Sequence, residues 1–112
     1  MAAVAVPVKG EIMFPVVETR PGATRQVLSH SPELMLVSFK FEKGAEGALH
    51  HHPHIQGTYV RSGRFKFFIG GEEREIGPGD SLTIPANVEH GCICLEAGEL
   101  VDSFTPRRDD FL

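Results

Sequence analysis

From Leu34 to Phe41 the chain reads LMLVSFKF, a run of β-forming side chains without Gly or Pro. Such a run predicts a strand buried on much of both faces. Arg64 to Ile69 alternates polar and apolar residues and runs into Gly70-Gly71, a two-residue hairpin signal. The return, Glu72 to Ile76, carries its charges outward, as a solvated edge strand does. Gly57 to Val60 predicts another strand, ended by Arg61-Ser62-Gly63. Lys43 to Gly47, Gly77-Pro78-Gly79-Asp80 and Pro85-Ala86-Asn87 read as turns, with a strand at Ser81 to Ile84 between the last two. Further strands are expected at about 89–95 and 99–104, and two short ones within 3–18, interrupted by Pro7 and Pro15. His30, beside Ser31-Pro32, reads as a turn residue. No window of ten or more residues has a capped 3.6-residue period, so helix content should be very low. Short strands punctuated by Gly and Pro predict an all-β barrel or sandwich.

The length of 112 residues suits one domain, 1–112, and a chain this size buries roughly two-thirds of its unfolded surface without staples. A net charge of -4, with no basic run beyond Arg107-Arg108, disfavours nucleic acid or an anionic membrane as partner. Cys92 and Cys94 are too few and too close for a disulfide framework, which fits a reducing compartment. The opening MAAVAVPVKG has neither a basic n-region nor a long apolar run, so it reads as neither signal peptide nor membrane span. The expectation is a soluble, cytoplasmic domain. The Val-rich AVAVPV stretch suits an edge strand that pairs with a second copy, so a homodimer is expected.

Histidine changes the picture. Five of the six lie at positions 50, 51, 52, 54 and 90. In an extended segment His50 and His52 project from one face; Gln56 follows four residues on, and His90 comes from a distant strand. Three imidazoles and one oxygen donor suit a borderline divalent ion such as Zn, Ni, Mn or Fe. Two histidines at i and i+2, with a third after a Gly-Pro turn, raise that reading well above the ordinary fate of a lone buried histidine.

These spacings resemble those of the cupins. Their first motif, G-x5-H-x-H-x3,4-E-x6-G, is matched over 44–63 by Gly44, His50, His52, Gln56 and Gly63. Their second, G-x5-P-x-G-x2-H-x3-N, is matched over 79–94 by Gly79, Pro85, Asn87, His90 and Cys94. The departures are Gln56 for Glu, Asn87 for Gly and Cys94 for Asn. The resemblance implies a double-stranded β-helix, a jelly-roll barrel, while the fold by itself leaves the activity open. A neutral Gln56 leaves the charge of a divalent ion uncompensated. That favours an anionic ligand and argues against a metal cycling through oxidised states.

A narrower likeness lies in HHHPHIQ, GDSLTIPANVEHG and the ending VDSFTPRRDDFL. These resemble the KdgF family, small single-domain cupins of pectin and alginate breakdown that linearise unsaturated uronates. Ile55 stands where that family often has Glu. The resemblance implies opening of 4,5-unsaturated monouronates to 4-deoxy-5-keto-uronate. It implies His50, His52, Gln56 and His90 as metal ligands. Asp102, Phe104 and Arg108 would lie around the substrate, Arg108 rather than Arg107 by its spacing from Asp102. On a strand at 99–104, Leu100, Asp102 and Phe104 share a face, and an Asp between two apolar residues calls for a reason.

The remaining candidates divide by parity. His51 should point away from the metal, while His54, beyond Pro53, is a candidate for substrate contact or for supporting a ligand. Arg25 is a candidate second anion contact, with a surface salt bridge as its ordinary alternative. Cys92 and Cys94 read as small apolar residues, and Tyr59, Phe65 and Phe67 as packing residues. Asp109-Asp110 reads as solvated, and Phe111-Leu112 suggests a docked tail. Two rival functions are a non-catalytic sugar-acid sensor and a small metal-dependent dioxygenase. The first lacks a DNA-binding segment here, and Gln56 speaks against the second.

Overall fold

A computed structural model describes residues 14–112. Among these residues eight strands follow one another: β1 (Val16–Arg20), β2 (Ala23–Ser31), β3 (Leu34–Phe41), β4 (Glu46–His50), β5 (Ile55–Ile69), β6 (Glu72–Ile76), β7 (Ser81–Ile84) and β8 (His90–Thr105). A short 3-10 turn, Asp109–Phe111, closes the chain. All pairings are antiparallel, in the order β1-β2-β3-β8-β5-β6, with β4 added to β8 and β7 to β5. The all-β expectation holds, and β3, β6 and β7 have the bounds the sequence predicts. The Val-rich stretch expected to pair with a second copy lies outside the described residues.

The two long strands make the sheet a barrel. β5 and β8 pair along almost their whole length, from Ile55↔Thr105 to Ile69↔His90. One half of β8 borders β3 and the other borders β4. Likewise one half of β5 borders β7 and the other β6. Each long strand therefore serves two layers, and the bend between them falls at residues 60–65, where the register slips.

This bend corrects the expected break at Arg61-Ser62-Gly63, and the expected division between 95 and 99. Glycine lets the ladder continue through both places. A Cβ on Gly98 would run into the Ser62 carbonyl, and one on Gly63 into Glu96 and Ala97, so backbones approach there as only glycine permits. Gly70 and Gly71 both have positive φ, 56° and 86°, the backbone of a tight hairpin turn.

Several other expectations need correction. Lys43–Gly47 is not all turn, because β4 already begins at Glu46. His30 belongs to β2, opposite Met35, and the turn is made by Pro32 and Glu33. β3 is buried on one face rather than two: Met35 and Val37 are fully buried, while Leu34 and Leu36 are 49% and 36% exposed. Tyr59, read as a packing residue, is likewise half exposed. All three lie on the outer face, which no further layer of the described chain covers.

The interior holds two apolar clusters. The larger joins Val60, Phe65, Phe67, Ile84, Cys92, Cys94 and Leu100, which bears out the packing roles of Phe65, Phe67 and the two cysteines. The smaller joins Val27, Met35, Val37 and Phe104, with Phe111 of the closing turn packed against it. Phe111 therefore docks, as the sequence suggests, whereas Leu112 is exposed.

Candidate metal centre and its cavity

Two strands and a loop bring the histidines together. β4 pairs with β8 so that His50 lies opposite His90. That approach requires Gly91, whose added Cβ would sit 2.8 Å from the Gly47 carbonyl oxygen. His52 is held from the other side, for the Asn87 amide donates to the His52 carbonyl at 2.8 Å. Asn87 has a φ of 64°, the left-handed region that glycine and asparagine tolerate best. Its departure from the cupin glycine thus keeps the same turn.

The three imidazoles are oriented alike. His50 Nδ1 donates to the Ala48 carbonyl at 2.7 Å, His52 Nδ1 to that of His54 at 3.0 Å, and His90 Nδ1 to that of Val88 at 2.9 Å. Each bond places the proton on Nδ1 and leaves Nε2 a bare lone pair. The donor atoms of the three rings all lie within 4.8 Å of one another. Burial pushes the His52 imidazolium below the usual histidine range and that of His90 to about 4. Both rings are therefore neutral near pH 7, the form that binds metals.

The surroundings fit a cation. His90 Nε2 is buried without a hydrogen-bond partner among the described residues. His52 Nε2 faces Gln56 Oε1 at 3.0 Å, two acceptors with no proton between them once Nδ1 carries it. A divalent ion among three imidazole nitrogens and an amide oxygen would satisfy all of them. His50, His52 and His90 can hold such an ion, with Gln56 Oε1 beside them.

Next to this cluster lies Asp102. Its side chain is buried, Oδ2 accepts from Gln56 Nε2 at 3.3 Å, and Oδ1 has no partner among the described residues. Desolvation pushes its carboxyl up to about 7, against the opposing hydrogen bond of Thr58 and the charge of Arg108. Phe104 follows on the same inward face of β8 and packs edge-on against His52, 5.7 Å between rings.

A cavity of about 210 Å³ joins these parts, lined among others by His50, His90, Gln56, Asp102, Phe104 and Arg108. Arg25 and Phe111 also line it. The Phe111 ring lies 4.1 Å from the Arg25 guanidinium and 4.2 Å from that of Arg108. Arg25 forms no ion pair among the described residues, so the surface salt bridge considered for it is not the arrangement found. Arg108 is bound through two donors to Asp110, at 3.0 and 2.8 Å, and Arg107 to Asp109. The two acidic residues of the tail are thus ion-paired rather than merely solvated.

His51 is exposed, as its parity predicts. His54 does not line the cavity; it supports His52 through its backbone carbonyl. Sequence reasoning missed Thr58, Asp110 and the guanidinium contacts of Phe111. Thr58 carried a usable signal, since it shares strand parity with Gln56. The Asp110 and Phe111 contacts carried none, because they depend on the path of the tail.

A cupin domain model matches residues 37–102. The pectin degradation protein KdgF of Dickeya dadantii is 41% identical over 97 residues, 85% of this chain and 88% of that one. The solved structure of KdgF from a Halomonas species superposes with a TM-score of 0.83 at 42% identity, over 88% of this chain and 91% of that chain. A cupin of the RmlC-like type from Shewanella frigidimarina gives 0.85 at 39% identity, over 89% and 90%. The shared barrel, the retained histidine spacing and this identity over most of both chains make the protein a cupin of the KdgF family.

Proposed function

We propose that this chain is an enzyme that opens the ring of 4,5-unsaturated monouronates, converting them to the linear 4-deoxy-5-keto-uronate. The observation that carries this reading is Asp102, a buried carboxyl with one free oxygen, set between a three-histidine cluster and an arginine in one cavity. Kinship with KdgF proteins, one of them described as a pectin degradation protein, supports the substrate class. The cavity volume suits one monosaccharide, since a void of about 150 Å³ already holds benzene.

Ring opening needs no oxidant. The anomeric hydroxyl gives up its proton, the carbonyl forms at C1, and the C1–O5 bond breaks with its electron pair on O5. The resulting enolate takes a proton at C4 and becomes the 5-ketone. One proton leaves and one is returned, so the change is an isomerisation. Asp102 is the group that moves these protons, and a carboxyl poised near neutrality can both accept and give one. Arg108 and Arg25 bind and orient the substrate carboxylate, and Phe104 forms the apolar wall that keeps Asp102 dry. A divalent ion on His50, His52, His90 and Gln56, whether Ni, Zn, Mn or Fe, supplies positive charge that attracts the anionic sugar and offsets developing enolate charge. His54 acts behind His52 rather than on the substrate. The working form is taken to be a cytoplasmic homodimer, which sedimentation of the purified protein checks.

The test is a time course of 4,5-unsaturated galacturonate, followed by loss of its ultraviolet enol-ether absorbance. Metal-loaded wild type should outpace spontaneous opening, under nitrogen as well as in air. Asp102→Asn at equal metal content should not. Wild-type inactivity with all four ions, or full activity of Asp102→Asn, would overturn the proposal, and a strict need for oxygen would favour a dioxygenase.

A further inference from the structure

We propose that Thr58 is a positioning residue of the metal centre: with Asp102 it holds the Gln56 side-chain amide so that its oxygen, and not its nitrogen, faces the three histidines. The proposal rests on reading His50, His52, His90 and Gln56 as a metal site.

Thr58 occupies an inward position of β5, opposite Asp102 on β8 and Leu82 on β7, and is 2% exposed. A hydroxyl in such a place is costly unless it is hydrogen-bonded. Here it accepts from the Gln56 amide. Gln56 Nε2 donates one hydrogen to Thr58 Oγ1 at 3.0 Å and the other to Asp102 Oδ2 at 3.3 Å. Two acceptors thus hold the amide nitrogen, and Gln56 Oε1 is the one amide atom left to face His52.

The orientation decides whether Gln56 can be a ligand. Reversed, its nitrogen would donate to His52 Nε2 and cover the lone pair a metal needs. Its oxygen would then lie against Thr58 Oγ1 and Asp102 Oδ2, and these two acceptors would lose the donor they now hold. Without the hydroxyl that penalty falls. The amide can then turn over, capping His52 and withdrawing the oxygen ligand together. A carboxylate at 56, symmetric about its axis, would need no such lock, so the dependence on Thr58 follows from this chain's Gln.

Calorimetric titration of metal-stripped protein with Ni²⁺ and with Zn²⁺ tests this without any turnover. Thr58→Val keeps the volume and removes the hydroxyl. It should weaken metal binding by about ten-fold or more, the usual cost of losing a group that orients a ligand. Thr58→Ser should stay within about three-fold of wild type by the same measure. If the valine disturbs the core, as thermal unfolding would reveal, Thr58→Ala carries the same expectation. In a Gln56→Ala background, which has no amide to orient, Thr58→Val should add little further loss. Wild-type affinity in the hydroxyl-free variants, or an equal loss in both backgrounds, would overturn the positioning role. Wild-type protein that takes up neither ion would instead overturn the metal reading itself.

Discussion

Arg108 donates through Nε and Nη2 to both carboxylate oxygens of Asp110, two residues further along the same tail. The guanidinium that faces the cavity is therefore already bound to a carboxylate, and its Nη1 edge is the part left for an incoming one. Asp110 is 59% exposed on its side chain, whereas Arg108 is only 12% exposed. The pair thus lies at the rim, and the charge of Asp110 competes with an anionic substrate for the same cation. Asp110→Asn should lower KM by about two- to five-fold, in keeping with the ~0.5–1 kcal/mol scale of half-exposed pairs. The kcat should hardly move. Steady-state kinetics at low and high salt checks this, and a raised KM would mark Asp110 as an anchor rather than a competitor.

Phe111 joins the second arginine to the first. Its ring contacts the guanidinium groups of Arg25 and Arg108 and is itself held edge-on by Phe39 and Phe104, at 6.2 and 5.8 Å between centroids. Two like charges near one cavity repel, and an aromatic face between them offsets part of that cost. Phe111→Leu removes the π-face while keeping an apolar anchor. At about 0.5–2 kcal/mol per cation–π contact, KM for the uronate should rise by roughly ten-fold, with Phe111→Trp close to wild type. Equal KM values for the Leu and Trp variants would show that the ring only packs.

The histidine cluster was legible because its geometry is local. His50 and His52 share a face by strand parity, and His90 follows a turn whose φ needs Asn87 or glycine. β3, β6 and β7 were legible from hydrophobic runs and turns. β2 was not, for only Ala23 and Val27 of its nine residues are buried, too sparse a pattern to show a period. The bend in β5 was read as an end because Ser62-Gly63 is also how a strand stops. Distinguishing the two requires knowing that Gly98 lies across from it. Arg25 and Phe111 meet through the third dimension alone, 86 positions apart.

That crossing supports a contrast between glycines. Gly44 has a φ of 85° with nothing within 4 Å of an added Cβ, so Gly44→Ala meets only the backbone penalty of a left-handed residue, about 1–2 kcal/mol. Gly98→Ala must push the Cβ through the Ser62 carbonyl and separate β5 from β8 at their bend. It should cost more than about 3 kcal/mol, the scale of severe backbone and packing lesions, or abolish folding. Urea midpoints of the two variants compare them directly, and equal losses would refute a close-packed crossing.

Asp102 makes a further demand on pH. In the metal-stripped protein its carboxyl is raised from 3.8 to about 7 by desolvation, so the folded state holds a proton that the unfolded chain has released. The stability this contributes is fully present below pH 3.8 and is lost as pH rises through about 7. His90 pulls the other way, because its depressed imidazole penalises folding as pH falls from 6.5 toward 4. The two partly cancel in wild type, which would show a muted profile. Asp102→Asn removes the first and leaves the second. Relative to wild type the variant should therefore gain stability as pH rises from about 4 to about 8, the interval over which linkage empties the carboxyl. Urea unfolding with a chelator present measures the difference at several pH values. A stability difference constant across that interval would mean that Asp102 is ionised throughout, and would remove the basis for its exchanging protons near neutrality.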